Sequence, residues 1–248
     1  WVFSIIGILL VGVFSLSVVA PPLLVTQFQT SVTYLVACSL ILTGAAQLMF
    51  TRFISDRLFL KQDETVLPNL HGLLLLIMAA ASCLGTLALF VVLPGQSLLY
   101  RMLMLAGFTL MCVVWMLTVL LSGLKHYKAI SALFGVSYAL IVLLSLPLRR
   151  WGLEGLLSSF VFGNIVLVAG MWAIVLRAFP IKRRWIAFDF MQRSLIFPVL
   201  IAVGLLYNLG IWADKFMFWY FPPTSQQIIG GLRASLIYDL PVFLSYLS

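Results

Sequence analysis

The chain has 248 residues, of which 9% are charged and 63% hydrophobic, with a formal net charge of +8 and a mean hydropathy of +1.16. Soluble domains carry about 25% charged residues, and their surface must be wetted, so this composition excludes a soluble globular protein. The apolar runs are continuous rather than alternating, which excludes a transmembrane β-barrel and selects membrane-spanning helices.

At about 20 residues per span and about 10 per connection, there is room for about eight spans and no soluble domain. The first apolar run, 2–20, stops at Pro21-Pro22. The second covers 31–50 and ends in the charged stretch 52–64. A third, 70–93, ends at Pro94-Gly95, and a fourth, 102–123, ends at Lys125-His126-Tyr127-Lys128. The fifth, 130–146, stops at Pro147 before Arg149-Arg150, and the sixth covers 155–176. After the basic stretch 177–193 comes a seventh run, from 195 to about 213, extended into the interface by the aromatic stretch 216–221. Punctuation by Pro, Gly and charge agrees with these ends. Residue 1 already lies inside an apolar run, and the last residues enter another. The sequence therefore reads as an internal piece of a longer membrane protein, with seven spans and the start of an eighth.

Ten Lys and Arg residues follow the even-numbered runs and five follow the odd-numbered ones. The positive-inside rule then places the ends of even spans, and the start of the chain, on the cytoplasmic side. Arg149-Arg150 runs against the bias, with Glu154 as a partial offset. The +8 charge thus reads as cytoplasmic anchoring to lipid headgroups and not as nucleic-acid binding. The stretch 177–193 mixes basic and aromatic residues. It suits either an amphipathic connector lying in the headgroup plane or a long basic loop.

Catalytic chemistry has little to stand on. Cys38, Cys83 and Cys112 sit singly in three runs without metal-ligand spacing and read as small core residues. His71 and His126 have no i,i+4 partner. There is no nucleophile–base grouping, phosphate-cradling loop or carboxylate pair, so no catalytic residue, metal or cofactor is expected. Gly155, Gly163 and Gly170 recur at helical spacing and suit close helix packing. Gln47 and Asn164 read as interhelical hydrogen-bonding groups.

Three clusters carry the remaining polar chemistry, and ionisable groups near a membrane mark function. Arg52, Ser55, Asp56 and Arg57 end the second run; Arg52 and Asp56, four apart, share a helical face, as a structural ion pair or a docking motif. Asn208, Trp212, Asp214 and Lys215 end the seventh run beside 216–221. Polar groups flanked by aromatic faces suit carbohydrate, and an interfacial aromatic belt is the alternative. Arg233, Tyr238 and Asp239 precede Pro241, where Asp239 and Pro241 read as a helix start.

The stretches Thr51-Arg52-x-Ile54-Ser55-Asp56-x-Leu58-Phe59, Gly210-Ile211-Trp212-x-Asp214-Lys215 and Arg233-Ala234-Ser235-x-x-Tyr238-Asp239-x-Pro241-x-Phe243-Leu244-Ser245-Tyr246-Leu247-Ser248 together resemble the PelG family. That family is the membrane transporter subunit of the bacterial Pel exopolysaccharide machinery. The resemblance implies an all-α, polytopic helical bundle with the multidrug/oligosaccharidyl-lipid/polysaccharide flippase fold of two six-helix lobes. On that reading 1–176 is the first lobe, 177–193 a basic, amphipathic cytoplasmic connector and 194–248 the start of the second lobe. It also implies the bacterial inner or plasma membrane and an N-acetylhexosamine-rich polymer as cargo. The implied partners are the Pel glycosyltransferase, a cyclic-di-GMP-receptor subunit and a further membrane subunit. Asn208, Trp212, Asp214, Lys215, Arg233, Tyr238 and Asp239 become candidates for the polymer path. The competing functions are an ion-coupled exporter of small molecules from the same superfamily and a non-transporting scaffold for the glycosyltransferase.

Overall fold

The computed structural model describes residues 22–179, 184–192, 195 and 197–245. The first apolar run, Lys182, Arg183 and Arg193 lie outside the described residues, as do the side chains at 243–248. Five helical stretches are long and apolar enough to cross a membrane: Leu23–Phe59, Asp63–Val92, Leu98–Gly123, Tyr127–Ala178 and Pro198–Tyr220. The protein is an all-α, multi-pass bundle.

Helix α1, Pro22–Phe59, begins well before the expected second run. Pro22 has the φ of a first helical position already set. The polar residues that interrupt the apolar pattern turn their hydroxyls back on the helix, Ser31 to the Gln27 carbonyl at 2.7 Å and Thr33 to that of Gln29 at 2.8 Å. Such back-bonding lets polar residues stay helical. At about 1.5 Å per residue α1 spans about 57 Å, against about 30 Å of hydrocarbon, so its Arg52–Arg57 end projects beyond the apolar layer. Lys61, at φ 55°, closes the helix: its N–H reaches the Leu58 carbonyl, and that of Gln62 reaches Arg57. Helix α2 is Val66–Val92 and α3 Leu98–Gly123. Lys125, at φ 62°, ends α3 in the same way, with bonds to Ser122 and from His126 to Leu121. Both ends are Schellman closures, with lysine where glycine is usual; the cation at a helix C-terminus partly offsets its left-handed backbone.

Helices α4, Tyr127–Leu148, and α5, Gly152–Ala178, join through a 3₁₀ turn at Arg149–Trp151. They pack antiparallel, and the expected glycines face the contact. A Cβ on Gly163 would meet Ile141 at 2.2 Å, one on Gly170 would meet Leu133 at 2.5 Å, and one on Gly155 the Leu148 carbonyl at 1.9 Å. Helix α3 is the central element, with Val113–Leu117 buried in succession between α1, α2 and α5. A helix apolar and buried all round is an interior one. Trp115 Nε1 donates to Ser39 Oγ at 2.9 Å, and Ser31 pairs with Tyr100 across 2.7 Å, tying α1 to α3.

Helix α6, Pro198–Tyr220, carries the seventh run and the aromatic stretch as one element packed along α1. An antiparallel hairpin follows, β1, Gln226–Ile229, and β2, Leu232–Ala234, turning at Gly230-Gly231 with Gly230 at φ 55°. Gly231 N–H bonds the Val92 carbonyl at 2.8 Å, fixing the hairpin to the end of α2. Helix α7, Leu236–Ser245, starts after Ser235, a few residues before the start read at Asp239-Pro241, so that Asp239 lies in its first turn and Pro241 inside it.

Several expectations are corrected. Among the described residues, Gln47 and Asn164 do not link helices: Gln47 bonds Thr43 Oγ1 at 3.0 Å and Asn164 the Phe160 carbonyl at 2.9 Å, each one turn back on its own helix. The nearby i−4 acceptor lies within reach without any helix approach. Glu154, in the first turn of α5 after Arg149-Arg150, also accepts from Ser97 Oγ. Cys112 is a core residue as expected, whereas Cys83 is exposed on α2.

The described connector residues 184–192 form an extended strap with a 3₁₀ turn at Asp189–Met191, and α5 takes up Arg177 and Ala178. The strap docks on α2: Ala187 N–H bonds the Pro68 carbonyl at 2.9 Å, and Asp189 exchanges two bonds with Asn69 at 2.7 and 3.0 Å. Phe190 is buried against Phe50 and Phe53. Gly72 admits the strap, since a Cβ there would lie 2.1 Å from the Ala187 carbonyl oxygen.

Candidate functional site

Helices α1 and α6 meet glycine to glycine. A Cβ on Gly204 would lie 2.1 Å from the Gly44 carbonyl oxygen, and one on Gly44 would lie 2.6 Å from that of Gly204. Small residues at such a crossing let backbones touch. Around it opens a cavity of about 530 Å³ between α1, α3, α4 and α6. Its walls are largely apolar, with Gln47, Thr118, Ser131, Tyr207 and Asn208 as the polar members. Asn208 Nδ2 donates to the Gly204 carbonyl at 3.0 Å, so Asn208 covers the crossing and lines the cavity together.

About one turn farther along α6, the predicted residues of the second and third clusters come together. Asp214 accepts from the Tyr238 hydroxyl and, at 2.7 Å, from Lys215 N–H. Lys215 Nζ lies 3.4 Å from the Asp214 carboxylate and 5.3 Å from the Trp212 ring centre, a cation–π distance. Asp239 accepts from Trp219 Nε1 at 2.9 and 3.1 Å and from Ser235 N–H at 3.1 Å, holding α7 against α6. Arg233 Nε donates to Ser225 Oγ, and Ser225 in turn to the Trp219 carbonyl. Tyr34 crosses from α1: its hydroxyl donates to the Arg233 carbonyl at 2.9 Å, and its ring stacks on Trp219 at 4.7 Å. Tyr238 stacks on Phe218 at 4.1 Å. The Trp212 indole is buried, and its Nε1 finds no partner among the described residues. The outcome is an acid–base–aromatic cluster at the hairpin end, with Asp214 and the faces of Tyr220 and Phe221 exposed. Such a surface offers hydrogen bonds and ring faces side by side.

Tyr34, Trp219 and Ser225 belong to this cluster and were not singled out from sequence. Trp219 lay inside the stretch read as an aromatic belt; its position four residues after Lys215 on a helix was the available signal. The Gly230-Gly231 pair between two short β-prone runs is a hairpin signal that also went unread. Nothing in the sequence marks Tyr34.

The first cluster stands at the opposite end of the bundle. Arg52 Nε and Asp56 Oδ2 pair at 3.1 Å, one turn apart as expected, and both are largely exposed. Arg57 bonds Gln62 Oε1 at 2.6 Å and lies over the Phe53 ring, and Ser55 bonds the Thr51 carbonyl. Exposed pairs contribute about 0–1 kcal/mol. The exchanged pair Arg52→Asp with Asp56→Arg should therefore leave thermal stability nearly unchanged. A fall in transport at unchanged protein level would assign these residues to docking, and full transport to a plain ion pair.

Among the described residues, no group of three His, Cys, Asp or Glu side chains is placed to hold a metal ion. A family model, PelG, "Putative exopolysaccharide Exporter (EPS-E)", matches residues 1–248, the whole chain. No curated protein and no solved structure matches it.

Proposed function

The chain belongs to the PelG family of exopolysaccharide exporters, and from that premise we propose that it moves a growing N-acetylhexosamine-rich polymer, Pel, outward across the bacterial inner or plasma membrane for the biofilm matrix. The family is one of exporters and not of enzymes, and the protein is a multi-pass membrane protein. In this reading residues 1–176 act as one helical lobe, 177–193 as the connector and 194–248 as part of a second lobe. The polymer passes the cavity at Asn208 and leaves over Trp212, Asp214, Lys215, Arg233, Tyr238 and Asp239. The Arg52 end faces the cytoplasm, where the glycosyltransferase, a cyclic-di-GMP-receptor subunit and a further membrane subunit meet the protein.

The observation that carries the reading is the convergence of three sequence-distant stretches, around Tyr34, Asp214 and Asp239, on one aromatic and charged surface beside the cavity. Sugar hydroxyls need donors and acceptors, and sugar C–H faces need rings. A polymer longer than one enclosed site fits passage along such a surface better than capture within a single occluded pocket.

The double substitution Asp214→Ala with Lys215→Ala tests it. Asp214 is exposed, and the Lys215 side chain, 12% exposed, bonds the Ile211 carbonyl and Asp214 of its own helix, so folding should survive. Surface polymer should fall at least tenfold while the protein still co-purifies with its glycosyltransferase. Loss of co-purification together with export would favour a scaffold, and undiminished export would remove these residues from the path.

A further inference from the structure

A second cavity, of about 480 Å³, opens at the hairpin end against β1 and its turn. Its volume falls within the ~300–1,000 Å³ of small-molecule sites. Four pieces of chain build it: Gln27 near the start of α1, Gln96 and Ser97 between α2 and α3, Trp151 and Glu154 at the α4–α5 turn, and the hairpin at Ile228–Gly230. We propose that this cavity is a second saccharide-binding subsite, selective for pyranose units that carry no acid group. It rests on the export reading in taking its ligand from the same polymer.

The chemistry follows from what the walls hold. Glu154 accepts from Ser97 Oγ, and no ion pair among the described residues involves it. Among the described residues, no Lys or Arg lines the cavity. A carboxylate accepts only, with room for several donors, so it welcomes hydroxyl, amide N–H or ammonium groups and repels uronic acids and phosphates. Gln27 and Gln96 supply both donors and acceptors, which suits hydroxyls that play both roles. Trp151 stands at the rim with 71% of its surface exposed, and its flat apolar face matches the C–H face of a pyranose. Its place beside Gly152, at φ 64°, presents the ring from a tight turn instead of along a helix. A membrane-interface tryptophan also sits at this level, but that role needs neither the two amides nor an unpaired carboxylate.

The hairpin makes the two surfaces neighbours. Ile228–Gly230 line this cavity, while the Arg233 and Gly231 carbonyls of the same hairpin accept from the Tyr34 and Tyr220 hydroxyls, at 2.9 and 3.3 Å. A chain of several sugar units can therefore touch both.

The test uses the full chain in lipid nanodiscs, free of glycoside detergents, with a fluorescently labelled tetramer of N-acetylglucosamine as probe. Saturable binding is expected, weakened at least tenfold by Trp151→Ala and less by Trp151→Phe. Gln96→Leu, in a surface loop, provides a second variant whose binding should also weaken should Trp151→Ala fold poorly. Oligogalacturonate of equal length should not compete, and should begin to compete in Glu154→Gln. No binding by the parent protein, parent-level binding by folded Trp151→Ala or Gln96→Leu, or equal competition by oligogalacturonate each overturns the proposal. The Asp214→Ala, Lys215→Ala protein separates the two readings. Export lost with tetramer binding kept supports both. Export retained with binding still dependent on Trp151 refutes the Asp214 path alone.

Discussion

Gly204→Ala should lower the stability of the folded protein by about 1–3 kcal/mol, the usual effect of forcing a methyl group into a filled contact. The new Cβ would stand 2.1 Å from the Gly44 carbonyl oxygen. The obstacle is backbone, which cannot rotate out of the way, so α1 and α6 must separate. Asn208, bonded to the Gly204 carbonyl, moves with them, and the cavity wall changes shape. Polymer export should fall along with the melting temperature in lipid. Gly210 provides the control on the same helix, since a Cβ there meets nothing within 4 Å. Gly210→Ala should be neutral or stabilising by up to about 1 kcal/mol, because glycine is the weaker helix former. Equal melting temperatures for the two variants would show that the crossing has slack.

Asp239→Ala should be the most damaging change at the hairpin end. It strips the acceptor from Trp219 Nε1 and from Ser235 N–H at once. Trp219 is only 3% exposed, so water cannot take over. Each abandoned buried donor costs about 1–3 kcal/mol. Trp219 also carries the stack on Tyr34, hence the link from α1 to the hairpin loosens as well. Asp239→Asn keeps an acceptor oxygen and should cost less. In a Trp219→Phe background, Asp239→Ala should cost less than in the parent, as coupled neighbours require. Thermal melts and the shift of tryptophan emission toward longer wavelength report both effects. Equal damage from Asn and Ala would mean that the negative charge itself is needed. No damage from Ala would remove the bond from the fold's support.

The long-range order was partly legible in the sequence, for physical reasons that differ by element. The Arg52–Asp56 pair and the glycines of α5 follow from helical periodicity, which is local. Helix ends were harder. The Gln27–Thr33 stretch breaks apolar periodicity, yet the helix continues because the hydroxyls of Ser31 and Thr33 find their own backbone. The α1–α6 crossing joins Gly44, the one glycine of α1, to Gly204, and Gly210, six residues on, falls on a different helical face, so no glycine spacing marks the contact. Tyr34 meets Arg233 across the whole fold, a contact that exists only once α1 and α6 are side by side. Asp214, Trp212, Tyr238 and Asp239 were legible as residues; their meeting around Trp219 was not.

The small hairpin also sets the vertical position of the protein. Its strand edges expose backbone N–H and C=O groups, which hydrocarbon does not tolerate, so β1 and β2 must ride at the water boundary. Tyr34 marks that level on α1, and Arg52 marks the first charged level below it. The rise between them is about 27 Å at about 1.5 Å per residue, close to the ~30 Å hydrocarbon thickness of a bilayer. The two ends thus act as floats on opposite faces, leaving the protein little freedom to bob or tilt. A membrane a few ångströms thicker would have to thin around it, or draw Arg52 and the hairpin toward each other.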